Sequence, residues 1–160
     1  MKYNLEREIY TFMSAPDFYF AVNAMFGYLH DRYGKDTLIS YWRSLGREYY
    51  HRRTRKWIDG GPKAVAADWR EYFAKEPQAD VVVTNDGPTV DLDIKVCPAI
   101  KHLRDNGREI VPYFCEHCDH VCGAMAESSG YTFERTGGMG SCHQRFVQVS
   151  VKGNASGGRR

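Results

Sequence analysis

The sequence predicts an α+β domain, with a helical N-terminal half packed on an antiparallel sheet. Two observations carry that expectation. Apolar residues recur at helical spacing up to Pro77 and alternate with polar ones after it. The two kinds of element are also segregated along the chain, helices first and strands later, rather than interleaved as in parallel sheets.

The elements follow in order. Pro16 can open a helix, because a first-turn residue needs no N–H partner. Phe18, Val22, Met25, Leu29 and Tyr33 then share a helical stripe, and Gly34 is its stop. Asp36 or Thr37 can cap a second helix bearing Leu38, Trp42, Leu45 and Tyr49. Gly60, Gly61 and Pro62 break the chain, and a third helix turns Val65, Trp69 and Tyr72 or Phe73 inward. Residues 81–84 and 89–96 read as a β-hairpin around Asn85-Asp86-Gly87-Pro88. Pro98 opens a short helix that Asn106-Gly107 closes. Ile110, Phe114, Cys118, Val121 and Met125 define a longer helix ending near Gly130. Strands over 131–136 and 142–151 flank a Gly137-Gly138-Met139-Gly140 turn. Residues 1–152 are expected to form a single domain, and 153–160, rich in Gly, Ser and Arg, a flexible tail.

Composition excludes several classes. Of 160 residues, 42% are hydrophobic and 14% aromatic, too much apolar area for a disordered chain. No uncharged apolar run approaches the ~18 residues of a membrane span. The start, MKYNLEREIYTF, lacks the apolar core of a signal peptide. Five cysteines without a secretion signal point to a cytoplasmic protein with reduced thiols. The net charge of +2 is too balanced to imply nucleic acid by itself. Arg43, Arg47, Arg52, Arg53, Arg55 and Lys56, interleaved with Tyr49, Tyr50 and Trp57, would suit RNA, but they also read as the solvated face of an amphipathic helix.

The chemistry lies between Cys97 and Arg145, which enclose all five cysteines. In CEHCDHVC, Cys115, Cys118 and Cys122 share one side of a helix, and Asp119 lies one turn beyond Cys115. Cys118 and Cys122 also read as small buried hydrophobes, and His117 and His120 as solvated. Cys97, just before Pro98, sits where a helix dipole favours a thiolate. Along 142–151, His143 and Arg145 share a face with Val147 and Val149, and Cys142 shares the other with Phe146. Alternation leaves open which face is inside.

Four segments together resemble the L-2-amino-thiazoline-4-carboxylic acid hydrolase family. They are Cys97-Pro98, Tyr113-Phe114-Cys115 with Asp119, Phe133 with Arg135-Thr136, and Cys142-x-x-Arg145-Phe146. The resemblance covers roughly residues 80–150. In the turn, where family members carry an acidic stretch, this chain has Gly138-Met139-Gly140-Ser141.

The resemblance implies a small-molecule hydrolase that opens a cyclic amidine-like ring at a C–N bond. It implies a site centred on Cys115, with Cys97 as the other candidate nucleophile and Asp119 as helper. Arg145, with Arg135, Thr136 and His143, would hold an anionic substrate. The resemblance also marks Cys97, Cys115 and Cys142 as converging. Three thiolates so placed would need a cation, and a Zn²⁺ held by them with Asp119 or a histidine is the alternative to a single ionised cysteine. Three function classes follow: this hydrolase, a non-catalytic small-ligand- or metal-binding domain, and a nucleic-acid module on the basic helix.

Overall fold

The structure, a computed structural model, describes residues 15–149. The expected tail, the start of the chain and the end of the last strand lie outside those residues. Helix α1 (Ala15–Tyr33) stops at Gly34, whose positive φ of 84° turns the chain into α2 (Lys35–Ser44). Gly34, not Asp36 or Thr37, is the N-cap; the Thr37 hydroxyl donates back to the Tyr33 carbonyl at 3.0 Å. A π-turn (Leu45–Tyr49) follows, then α3 (His51–Ala74), which bends sharply at Gly61. Asp68 ties the two arms of α3 together, accepting from Arg53 Nε and Trp57 Nε1, each at 2.8 Å.

After Pro77 come β1 (Asp80–Asp86) and β2 (Thr89–Val96) as the expected hairpin. Helix α4 (Pro98–Asp105) leads to α5 (Glu116–Ser129). The last hairpin is β3 (Tyr131–Gly138) and β4 (Ser141–Gln148). The four strands form one antiparallel sheet in the order β1-β2-β4-β3. The α+β expectation therefore holds, with α3 packed on β1 and β2 and α5 on β3. No helix of the described residues is long and apolar enough to cross a membrane.

One expected helix is shorter than its pattern. Ile110 and Phe114 precede α5 in a stretch of turns, in which Phe114 N–H donates to the Val111 carbonyl and Glu116 N–H to that of Tyr113. Pro112 explains this: it disfavours helical backbone at Val111 and offers no N–H. Buried Asn23 on α1 holds the segment, donating to the Glu109 carbonyl and accepting from Val111 N–H. That clamp sets where Cys115 meets α5.

The π-turn has a packing cause. At Gly46 the α2–α3 junction lies against the α5 backbone, and a Cβ there would sit 2.4 Å from the Val121 carbonyl oxygen and 2.7 Å from Ala124 Cβ. Backbone cannot yield as a flexible side chain can. Gly46→Ala is therefore expected to destabilise the fold by about 3 kcal/mol, at the upper end for overpacking. Urea unfolding would test it; a loss under about 0.5 kcal/mol would show that α5 can slide away.

Candidate functional site

The sheet settles which face of β4 is inside. Gln144 and Phe146 are buried and Cys142 is half-buried, all on the helix-covered face. Register places them beside Ile94, Leu92 and Val90 of β2 and beside Gly137, Arg135 and Phe133 of β3. Arg145, His143 and Thr136 lie on the opposite face. There Asp91 accepts from Arg145 Nε at 2.7 Å and pairs with His143 Nε2 at 3.1 Å. The expected site residues therefore divide between the two faces. Cys97, Cys115, Asp119, Arg135 and Cys142 belong to the helix side, whereas Thr136, His143 and Arg145 belong to the other face. Thr136 and His143 instead border, with Asp93, Lys95 and the edge of Cys142, a shallow open cleft of about 480 Å³.

On the helix side the thiols gather around the β3–β4 turn. Cys97 N–H donates to the Gly140 carbonyl at 2.8 Å. Cys115, the N-cap of α5, receives the Met139 N–H on Sγ at 3.1 Å. Cys142 stands opposite Gly137 in the register. Gly138, at φ 156°, brings its backbone so close that a Cβ would lie 3.7 Å from Cys115 Sγ. Cys97, Cys115 and Cys142 thus each adjoin this turn, from three different elements. However, among the described residues no three His, Cys, Asp or Glu side chains are placed to hold a metal ion.

Two expectations about these thiols are corrected. Neither Cys97 nor Cys115 is favoured as a thiolate. Burial pushes the Cys97 thiol up to about 11, despite the Ile100 and Ala99 N–H groups at the α4 N-terminus. Burial also raises Cys115 against its Met139 N–H bond, and Cys142 against its Gln144 amide contact. Desolvation outweighs the hydrogen bonds at each. Asp119, expected to assist Cys115, is instead engaged by Arg135 in a bidentate pair, Nε to Oδ1 at 2.9 Å and Nη2 to Oδ2 at 2.7 Å. Arg135 also donates to the Gly137 carbonyl, so it braces the turn from α5.

The thiol that is held low lies elsewhere. Cys118 contacts His117 Nε2 at 3.5 Å, while His117 Nδ1 is hydrogen-bonded to the Phe114 carbonyl. That carbonyl can only accept, so Nδ1 carries a proton and Nε2 faces the thiol. A hydrogen bond from the Cys122 thiol holds Cys118 well below the ordinary cysteine value. Burial opposes this, and the His117 charge and hydrogen bond, then Arg135, add to it. Cys122 is pushed the other way and keeps the proton it donates. Burial pulls His117 down, but the Cys118 charge and hydrogen bond and the Phe114 carbonyl together leave it above its ordinary value. Each of the two groups therefore favours the charged form of the other.

His117 and His120 are half-buried rather than solvated. His117 packs against Phe26 and Phe114, and His120 stacks on Trp42. Sequence reasoning missed His117 because neighbours i and i+1 do not face each other on a helix. Only the anchored ring, in the first turn of α5, reaches the adjacent sulfur. It also missed Gln144, a buried amide beside Arg135 on the inner face. Cys122 is the buried small residue anticipated, but Cys118 is more than that.

The basic stretch keeps its solvated-face reading in part. Arg43 pairs with Glu127 at 2.8 Å, and Arg53 lies over the Trp69 ring at 4.7 Å. Arg52, Arg55 and Lys56 are exposed.

A thiol held low stays reactive as pH falls, whereas raised thiols are protonated and inert. At about pH 6.5, some two units below the ordinary cysteine value, limiting iodoacetamide is expected to label Cys118 before Cys97, Cys115 or Cys142. Peptide mass spectrometry would read the order, and earlier labelling of Cys115 or Cys97 would overturn the assignment.

In comparisons with known proteins, the chain matches no family model, no curated protein and no solved structure.

Proposed function

We propose that the chain is a thiol-dependent hydrolase that cleaves a C–N bond of a small substrate, as in ring opening of a cyclic amidine of the thiazoline type. The observation that carries this reading is the Cys118–His117 contact, with the imidazole oriented by the Phe114 carbonyl. Nucleophile, base and orienting acceptor in that order are the working parts of thiol catalysis on unrelated folds.

The Cys118 thiolate attacks the amidine carbon, forming a C–S bond as the C=N electron pair moves to nitrogen. That nitrogen takes the Nε2 proton of His117 and a second proton from the exocyclic amino group, the C–N bond breaks, and it leaves as an amine, with a thioimidate on Cys118. The neutral imidazole then takes a proton from water as the water attacks the same carbon, and Cys118 leaves as thiolate. Arg135 supplies fixed positive charge nearby. Its guanidinium has N–H groups beyond those given to Asp119 and Gly137, and these suit a substrate carboxylate. This role replaces the one anticipated for Arg145, which is bound to Asp91 on the other face. The resemblance to the L-2-amino-thiazoline-4-carboxylic acid hydrolases points to the same bond type.

The test is direct. The purified chain is incubated with 2-amino-thiazoline-4-carboxylate and the products are followed by mass spectrometry for the carbamoyl cysteine. Turnover sensitive to iodoacetamide supports the reading. Tight binding of the ring without turnover would favour the ligand-binding alternative.

A further inference from the structure

Cys115 and Cys118 form a Cys-x-x-Cys pair at the start of α5. Cys115 has helical backbone (φ −73°, ψ −18°), and Cys118 N–H donates to its carbonyl at 3.2 Å. Helix geometry then puts their Cα atoms about 5 Å apart, inside the range that a disulfide spans. One sulfur contacts an imidazole, and the other is held by the Met139 N–H of the facing turn. We propose that Cys118 is a peroxide-modified site and that Cys115 is the thiol that resolves it to a reversible disulfide.

The step balances without any further reactant. The Cys118 thiolate attacks one oxygen of hydrogen peroxide, the S–O bond forms and the O–O bond breaks. The departing hydroxide takes the proton from His117 and leaves as water. The Cys115 thiol then loses its proton and attacks the Cys118 sulfur, the S–S bond forms and the S–O bond breaks. The released hydroxide leaves as a second water. Two thiols are oxidised by two electrons in all, and both peroxide oxygens are reduced to water. A dithiol such as dithiothreitol reverses the change.

Three features favour this pair over others. A peroxide is small enough to reach a half-buried sulfur, and oxidation selects thiolate character with a thiol nearby. Cys115 stands at the helix end, so its backbone can adjust as the bridge closes. Cys122 lies mid-helix and buried, where hydrogen bonds on both sides hold the backbone. Closing the bridge also takes Cys115 away from Met139 N–H, which removes one tie of the β3–β4 turn to α5 and leaves the Arg135 brace.

The reduced full chain is treated with equimolar hydrogen peroxide at neutral pH, alkylated, and mapped by tandem mass spectrometry. The expected result is loss of alkylation at Cys115 and Cys118 alone, restored by dithiothreitol. Faster amide exchange at Met139 should accompany it. In Cys115→Ser the sulfenic acid should persist on Cys118 and be trapped by dimedone. In Cys118→Ser peroxide consumption should fall at least about tenfold, since only raised thiols remain. A Cys118–Cys122 bridge, oxidation centred on Cys97 or Cys142, no thiol loss, or no dimedone adduct in Cys115→Ser would overturn the proposal. The readout contains no hydrolytic step, so it stands or falls apart from the hydrolase reading.

Discussion

Cys118→Ser is expected to lower the turnover of a thiazoline-type substrate by at least about a thousandfold, with the fold intact. The hydroxyl replaces the sulfur in nearly the same shape but stays protonated at every accessible pH. Nothing else in the cluster can substitute, because burial holds Cys97, Cys115 and Cys142 above their ordinary values. His117→Gln should cost about 10²–10⁴-fold, the usual scale for a positioned general base. It should also raise the pH at which Cys118 alkylates, because the imidazole charge and hydrogen bond both lower that thiol. Cys115→Ser should cost much less, since Asp119 is committed to Arg135 and gives Cys115 no helper. Steady-state kinetics would decide. Parent-like turnover in Cys118→Ser, with loss in Cys115→Ser, would move the nucleophile to the α5 N-cap.

The largest stability effect is expected at Trp57. Its side chain is fully buried, meets Phe146 edge-on at 5.5 Å and lies beside Trp69. It thus joins both arms of α3 to the inner face of β4. Trp57→Ala should cost about 4 kcal/mol, as large aromatic truncations do when the cavity cannot collapse. Here collapse is opposed by the Asp68 tie, which Arg53 would still hold at 2.8 Å. Trp57→Phe keeps an aromatic ring there but loses the indole N–H bond to Asp68 and part of the buried volume, for about 1–2 kcal/mol. Urea unfolding with an unchanged m-value would measure both. A loss below about 1 kcal/mol for Trp57→Ala would mean that this corner of the core carries little of the stability.

Much of the architecture is legible along the chain. The hairpin around Gly87 and the helix from Pro98 follow from residues whose backbone preferences are their own. The α5 boundary was less legible, since Ile110 and Phe114 fit a helical stripe and yet are buried or half-buried from a stretch of turns. Periodicity reports which residues are apolar at intervals, and turns clamped by Asn23 bury side chains equally well. At the site, Cys97, Cys115 and Cys142 adjoin the β3–β4 turn from three elements. Their protonation was not legible in the sequence. It depends on how much water each sulfur loses, which no neighbour in the sequence reveals.

The α+β class, the turn positions and the concentration of thiols from Cys97 to Cys142 can be read along the chain alone. Those properties are local, because side-chain period and the backbone freedom of Gly and Pro act over a few residues. Packing puts the Cys142 face of β4 inside, gives Asp119 to Arg135 and holds Arg145 on the far face by Asp91. Packing likewise holds the Cys118 thiol low and the Cys97 and Cys115 thiols high. The physical reason is shared by all of these. Each is a balance of burial against partners brought from elements far apart in the chain, and that balance exists only once those elements have packed.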